Sequence, residues 1–174
     1  MKKKKIFFPV FFLLLFFNDI SFSNNSDIGF IDVEKIIYNS STGKKFFTNL
    51  DNEIKKKGSQ FKDIEIKFKK EENEILKKRN IISKEEFNKN IGDLKKKISN
   101  HNKSKREFNK KITEKRLTGT NKLLNSLNKI VSTYASEKSI SLILQKKNII
   151  VGKAELDITD EILKIFNDKI KSVK

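Results

Sequence analysis

The chain has 174 residues, of which 35% are charged and none is cysteine, and its formal net charge is +17. The absence of cysteine excludes a disulfide framework, a thiolate metal site and a cysteine nucleophile. This length is sufficient for one domain or for a small domain with an elongated extension, and so high a charged fraction favours the second.

The first 23 residues predict a secretory signal peptide. Lys2–Lys5 precede an apolar run, Ile6–Phe17, whose 12 residues are fewer than the roughly 20 that a spanning helix requires. A cleaved signal is therefore favoured over an uncleaved anchor, with Ser21 and Ser23 as small residues before the cut. Cleavage removes four lysines and Asp19, which leaves 35 basic and 21 acidic residues and a net charge of +14.

A strand and a helix start are predicted next. Apolar alternation in "IGFIDVE", residues 28–34, predicts the strand. The following "NSSTGKK", residues 39–45, lacks the first glycine and the Ser/Thr after lysine that a phosphate-binding loop requires. We interpret it as the start of a helix, with Ser41 or Thr42 as the cap.

Residues 47–137 predict a long antiparallel helical hairpin. Apolar side chains recur at alternating steps of three and four over 47–75 and again over 87–112, as in a coiled-coil seam. Pairing residues whose numbers sum to 162 matches apolar with apolar positions and the polar Lys57 with the polar Lys105. This mirror symmetry about residue 81 predicts two helices folded against each other rather than one rod. The predicted seam includes Ile54, Phe61, Ile64, Phe68, Leu94, Ile98 and Phe108.

The predicted hairpin tip, near residues 80–83, carries a helix start signal. Ser83 and Glu86 have the spacing of a capping box, and Ile82 and Phe87 that of a hydrophobic staple. At 1.5 Å per residue the arm is about 50 Å long and must project from the rest of the chain.

His101, the single histidine, occupies a seam position opposite Phe61. We interpret it as a packed seam residue rather than a catalyst or a metal ligand.

The C-terminal part predicts two strands and a short helix. "ISLILQ", residues 140–145, alternates like a strand, and "IIVG", residues 149–152, follows a turn as a second one. Thr159 is the predicted N-cap of the terminal helix, with Asp160 and Glu161 in its first turn. Capping and the helix dipole account for these acids better than a metal site does.

The predicted fold class is α+β and mostly helical, with a body formed by residues 24–46 and 138–174 and an arm formed by residues 47–137. So small a body usually requires oligomerisation, and its few strands leave open edges. We therefore predict a homo-oligomer. The predicted oligomerisation residues are Phe30, Ile31, Leu142, Leu144 and Ile150.

Three segments carry a family resemblance: "IGFIDVEKIIYNSSTGKK" from residue 28, "SLILQKKNIIVG" from residue 141 and "DITDEILKIFN" from residue 157. In this order around a long hairpin, they make the chain similar to the Skp/OmpH family of periplasmic chaperones over nearly its whole mature length. The resemblance implies trimers in which strands of three subunits form a small barrel, and three hairpins enclose a cavity that holds unfolded outer-membrane proteins without ATP. It implies no catalytic residue and no cofactor. The chain departs from the family pattern at Ser41 and Gln145.

The positive charge leaves a second function class open. A net charge of +14 suits nucleic acid or an anionic surface, but the chain has only three arginines against 36 lysines, and phosphate and base recognition favour arginine. We therefore expect no nucleic-acid partner. We also expect no enzymatic activity, because His101, the 39–45 segment and the C-terminal acids are all explained by packing or capping. The two hypotheses are a periplasmic holding chaperone and an exported structural coiled coil that binds anionic lipid or cell-wall polymer.

Overall fold

The computed structural model describes residues 27–173 and confirms the predicted fold class. The predicted signal segment, residues 1–23, lies outside the described residues. The elements in chain order are β1 (Asp27–Ile31), α1 (Val33–Asn39), α2 (Ser41–Lys77), α3 (Lys84–Glu137), β2 (Ile140–Gln145), two 3₁₀ turns (Lys146–Asn148 and Ala154–Leu156) and α4 (Thr159–Lys169).

The first strand ends three residues before the predicted end at residue 34, because α1 begins at Val33. Asp32 ends β1 and caps α1: its Oδ1 accepts a hydrogen bond from the backbone N–H of Lys35 at 2.8 Å. The backbone N–H of Asp32 donates in turn to Oγ1 of Thr159 at 2.9 Å. The strand end is therefore tied to the start of α4.

The two strands, β1 and β2, pair in parallel, with a register shift between Asp27 and Ile28. The shift leaves Ser141 outside the register, so Ile140 packs against the core although Leu142, two residues later, is exposed. An extra residue in one strand has this effect because side chains alternate between the two faces of a sheet.

The long helices α2 and α3 form the predicted hairpin, joined by a turn over residues 78–83. The cap of α2 is Ser40, and not Ser41 or Thr42 as predicted. Ser40 has extended backbone angles between α1 and α2, and its Oγ accepts from the backbone N–H of Gly43 at 3.1 Å.

The predicted strand 149–152 is wrong. The 3₁₀ turn before it directs the chain across the sheet, where Gly152 lies against the Phe30 ring, instead of alongside β2. The N-cap prediction for Thr159 is also off by one position, since α4 begins at Thr159 and Ile158 is the capping residue. The hydroxyl of Thr159 is engaged with Asp32 and Asp157.

The main core joins the inner sheet face to α1, α3 and α4. Its most completely buried members are Ile36, Leu123, Leu127, Ile162 and Phe166. The C-terminal part of α3 therefore belongs to the same packed unit as the sheet, and the rest of the hairpin extends beyond that unit.

Candidate functional site

An apolar surface is exposed on the side of the sheet that faces away from the core. We call it the outer sheet face; it comprises Ile28, Leu142 and Leu144. Two further apolar side chains, Ile150 and Val151, are exposed in the loop that follows β2. Ile150 is fully exposed, and Leu142 is 48% exposed. Parallel strands are usually covered on both faces, so this sheet is incomplete as it stands in one copy.

The outer edge of β2 is also open. On the other side of the sheet, the backbone N–H of Ile158 donates to the Phe30 carbonyl at 3.1 Å and occupies the edge of β1. Within residues 27–173, no further backbone group pairs with the outer edge of β2. A two-stranded sheet is marginally stable by itself, and an open edge pairs readily with a strand of another chain.

The structure separates the predicted oligomerisation residues into two groups. Leu142 and Leu144 lie on the outer sheet face, and Ile150 is fully exposed in the loop that follows β2. Ile31 packs in the main core, and Phe30 is buried beneath the loop that contains Gly152. Both side chains are therefore buried within the single chain, and their part in oligomerisation stays a prediction.

Asp157 holds this loop against the sheet. Its carboxylate accepts from Nζ of Lys146 at 2.6 Å, from the backbone N–H of Thr159 at 3.0 Å and from the Thr159 hydroxyl. Burial by itself would raise the pKa of Asp157, but these hydrogen bonds outweigh it and hold the pKa below its usual value. The loop therefore depends on an ionised aspartate.

The arm seam contains a cluster of three phenylalanines and His101. The His101 ring lies edge-on to Phe61 and Phe68, with centroids 5.3 and 5.5 Å away, and Phe61 also meets Phe108 at 5.8 Å. Phe61 and His101 have numbers that sum to 162, whereas the other two pairs sum to 169. The Phe61 and His101 rings therefore each lie between two residues of the other helix, as in knobs-into-holes packing, rather than directly opposite one.

The other predicted seam residues differ in burial. Leu94 is buried, Ile98 is 36% exposed, and the remainder are half-buried: Ile54, Ile64, Phe68 and Phe108. Two helices packed together cover only one side of each seam. Among the residues 27–173, the arm does not have the several neighbours that α3 has in the core.

A polar network flanks the His101 ring. Oε1 of Glu65 accepts from Nζ of Lys105 at 2.7 Å and lies 3.3 Å from Nε2 of His101. The hydrogen bonds from Lys105 and then from His101 lower the pKa of Glu65. With its ring 5% exposed, His101 is a packed seam residue.

At the tip, Ser83 caps α3: its Oγ accepts from the backbone N–H of Glu86 at 3.1 Å. Ile82 and Phe87 are half-buried at this turn. Ile81, which the sequence pattern did not single out, is 80% exposed. The apolar pattern could not find it, because residue 81 lies in the turn between the two heptad stripes.

A close helix contact at the base of the arm was also missed. Gly119 of α3 lies beneath Phe46 of α2, so that a Cβ placed at Gly119 would be 2.1 Å from the Phe46 ring. Beside it, Phe47 stacks on Tyr38 with centroids 4.5 Å apart. A glycine inside a long helix could have indicated this contact. Glycine weakens a helix, so its presence there suggests that a neighbouring group packs close to the backbone.

Two other kinds of site are not found in the part of the chain that the structure describes. It contains no group of three or more side chains positioned to bind a metal ion. Within the same residues, no helix is sufficiently long and apolar to cross a bilayer.

Comparisons with known proteins identify a matching family and a solved structure with the same fold. The family model described as outer membrane protein, OmpH-like, matches residues 27–166. A crystal structure of a candidate outer membrane chaperone (OmpH-like) from Caulobacter crescentus has the same fold: the TM-score is 0.79 at 14% identity, with 85% of this chain and 88% of that chain covered. A comparison with curated proteins gives no match.

Proposed function

Because this chain belongs to the OmpH-like family, we propose that it is an ATP-independent holding chaperone of the periplasm that binds unfolded outer-membrane proteins. The client lies in a cavity between the helical arms of several copies. No nucleotide, cofactor or catalytic residue takes part. The observation that carries this proposal is the combination of an incomplete sheet with a long arm that projects away from it.

Assembly completes the sheet. The outer sheet face and the open edge of β2 are the two features that a single copy leaves uncovered, and both are satisfied when copies pair through their bodies. The family resemblance supports a homotrimer as the form of this assembly. Three bodies joined in this way place three arms side by side, with a space between them.

The client chemistry follows from the arms. Strands of outer-membrane barrels alternate apolar and polar side chains and cannot cover the apolar set before insertion. A polypeptide held between arms is shielded through many weak contacts, and it is released without nucleotide because no single contact is strong.

The test uses the mature protein, beginning near Asn24. An outer-membrane protein is unfolded in urea and diluted into buffer with a few-fold molar excess of the chaperone, and aggregation is followed by light scattering. Suppression of aggregation and a native mass of three chains are expected. A stable monomer at micromolar concentration, or unchanged aggregation, contradicts the proposal.

The lysine-rich surface favours one alternative, an exported structural coiled coil that binds anionic lipid or cell-wall polymer. Such a protein pellets with anionic vesicles or with cell-wall fragments and leaves the aggregation of the unfolded client unchanged. The two assays together therefore distinguish the functions.

A further inference from the structure

The positive charge of the arm is concentrated in its middle. Residues 55–70 of α2 and 95–111 of α3 together carry 15 Lys and Arg residues against three Asp and Glu residues, a net charge of +12. The tip, residues 71–94, has five basic and six acidic residues. The base, residues 47–54 and 112–137, has four basic and four acidic residues. The whole excess of the arm therefore lies in one zone, the two central segments, which we call the basic collar.

The fold brings the two halves of the collar level with each other. Phe61 contacts both His101 and Phe108, and His101 also contacts Phe68. At a rise of 1.5 Å per residue, the collar is about 24 Å long and its centre lies about 27 Å from the tip. Salt screens exposed charges beyond about 8 Å, so the collar acts on what lies beside it and has little influence at the tip.

Few acidic groups offset this charge. Within the collar, Glu65 pairs with Lys105, and Glu107 lies 3.9 Å from Lys103. Lys97 and Lys110 pair with acids just outside it. Across the described residues, the remaining basic side chains of the collar have no carboxylate within ion-pair distance.

Such crowding is unfavourable for the arm itself, because like charges on neighbouring helix positions repel. A general preference for lysine does not explain it, since that preference would raise the basic count at the tip as well. A bound partner of negative charge would offset this repulsion.

We propose that the basic collar binds acidic segments of the unfolded client polypeptide; this rests on the proposed function and names the part of the arm that selects the client. A chain held beside the arm meets the collar directly. A flat anionic membrane meets the tip first, and the tip has a net charge of −1. Ile66 and Ile98, both exposed within the collar, contact the apolar residues that flank those acids.

The experiment compares two variants of the full mature chain that lose the same three charges. The collar variant carries Lys62→Gln, Lys69→Gln and Lys96→Gln. The tip variant carries Lys78→Gln, Lys84→Gln and Lys89→Gln. All six side chains are exposed, and circular dichroism and native mass establish that both variants fold and assemble like the parent.

Binding is measured with an unfolded, acidic outer-membrane protein diluted from urea, and with a version in which Asn and Gln replace its Asp and Glu residues. At low salt, the collar variant should bind the acidic client about tenfold more weakly than the parent does, with a shallower salt dependence. The tip variant should change less than about twofold, because its charges are screened from a client at the collar. All three proteins should bind the neutralised client alike.

Equal weakening by both variants overturns the proposal, because overall charge would then explain the binding. Unchanged binding by the collar variant overturns it as well. Vesicles of phosphatidylglycerol and phosphatidylcholine provide the lipid arm: loss of vesicle binding with retained client binding would assign the collar to lipid. A parent protein that binds neither version of the client refutes the proposed function, a result distinct from each of these.

Discussion

The substitution Leu142→Asp tests whether the outer sheet face is the surface through which copies assemble. In a single chain the Leu142 side chain is 48% exposed, so an aspartate there stays in water and the folding of the chain changes by no more than about 1 kcal/mol. In the proposed trimer the same position is covered. Assembly then loses about 1 kcal/mol of apolar burial per copy and must bury an unpaired carboxylate at several kcal/mol more.

Three copies contribute to one trimer, so the assembly is weakened by roughly 10 kcal/mol in all. We expect the variant to be a monomer at micromolar concentration, as measured by sedimentation or native mass spectrometry. Circular dichroism should still show the helical hairpin, whose seam does not include β2.

Leu76→Asp is the matched control, because Leu76 is 49% exposed but lies on the arm, near the tip. It introduces the same charge at the same exposure and should leave the trimer intact. A trimer that survives Leu142→Asp, or one that dissociates with Leu76→Asp, would refute the assignment of the interface to the outer sheet face.

Three further predictions test local features of the fold. Ser83→Ala should remove a cap worth about 1 kcal/mol and fray the tip without dissociating the body; oligomer dissociation, seen by native mass, would place the tip in the core. Gly119→Ala should destabilise the protein by about 1–2 kcal/mol in urea titrations, because the Phe46 ring must move. Gly92→Ala is the control: its Cβ position is open, so this change should stabilise α3 by up to about 1 kcal/mol. Equal effects of the two changes would show that the close contact at Gly119 is absent. Because its folded pKa is lowered, Asp157 stabilises the body above the unfolded pKa of about 3.9, and this contribution disappears as the pH falls through the lower folded value. Thermal melting should therefore show Asp157→Asn less stable than the parent at pH 7 and equally stable at about pH 2, and a constant difference would show that the ionised carboxylate is not responsible.

The hairpin was predictable because its signal is long and repeated. Two heptad stripes and a capping signal between them specify the helices, the turn and the antiparallel direction, and the structure has all three. The sequence also indicated that His101 faces Phe61. Local periodicity predicts such features because each helix position has neighbours three and four residues away.

The half-heptad offset of the seam was not predictable in the same way. Two mirror-image stripes show that the helices run antiparallel, but the Phe61 and His101 rings each contact two rings of the other helix, so pairs that sum to 162 and pairs that sum to 169 both occur. Treating level positions as direct partners therefore misses two of these three ring contacts.

The segments around the sheet were predicted less well because tertiary contacts decide them. Residues 149–151 are β-branched and apolar, as in a strand, yet Asp157 and Lys146 hold their loop across the Phe30 ring. The helix α1 replaces the end of the first predicted strand because Asp32 caps it. Neither arrangement can be predicted from the alternation of apolar and polar residues. The side-chain hydrogen bonds of Asp32 and Asp157 decide the backbone path in segments whose pattern is typical of strands.

The last prediction concerns a soft joint in the arm, where Lys57 and Lys105 occupy seam positions. The structure directs the two ammonium groups to different partners: Nζ of Lys57 lies over the Phe61 ring at 5.1 Å, and Nζ of Lys105 binds Glu65 at 2.7 Å. Both leave the seam, so no apolar side chain from these positions fills the layer. Gly58 follows at once, with nothing within 4 Å of its Cβ position, and weakens the helix by about 1 kcal/mol relative to alanine.

If this layer bends, the part of the arm beyond Phe61 moves as a unit and changes the width of the proposed cavity. Hydrogen exchange should then show a protection minimum over residues 56–60 and 103–107, with better-protected helix on both sides. The triple change Lys57→Leu, Gly58→Ala and Lys105→Leu fills the layer and should abolish the minimum. It should also narrow the distribution of distances between spin labels placed at Asn80 in the assembled protein. Uniform protection along the parent arm would exclude the joint, and an unchanged distance distribution in the stiffened variant would show that the seam defect does not control the width of the cavity.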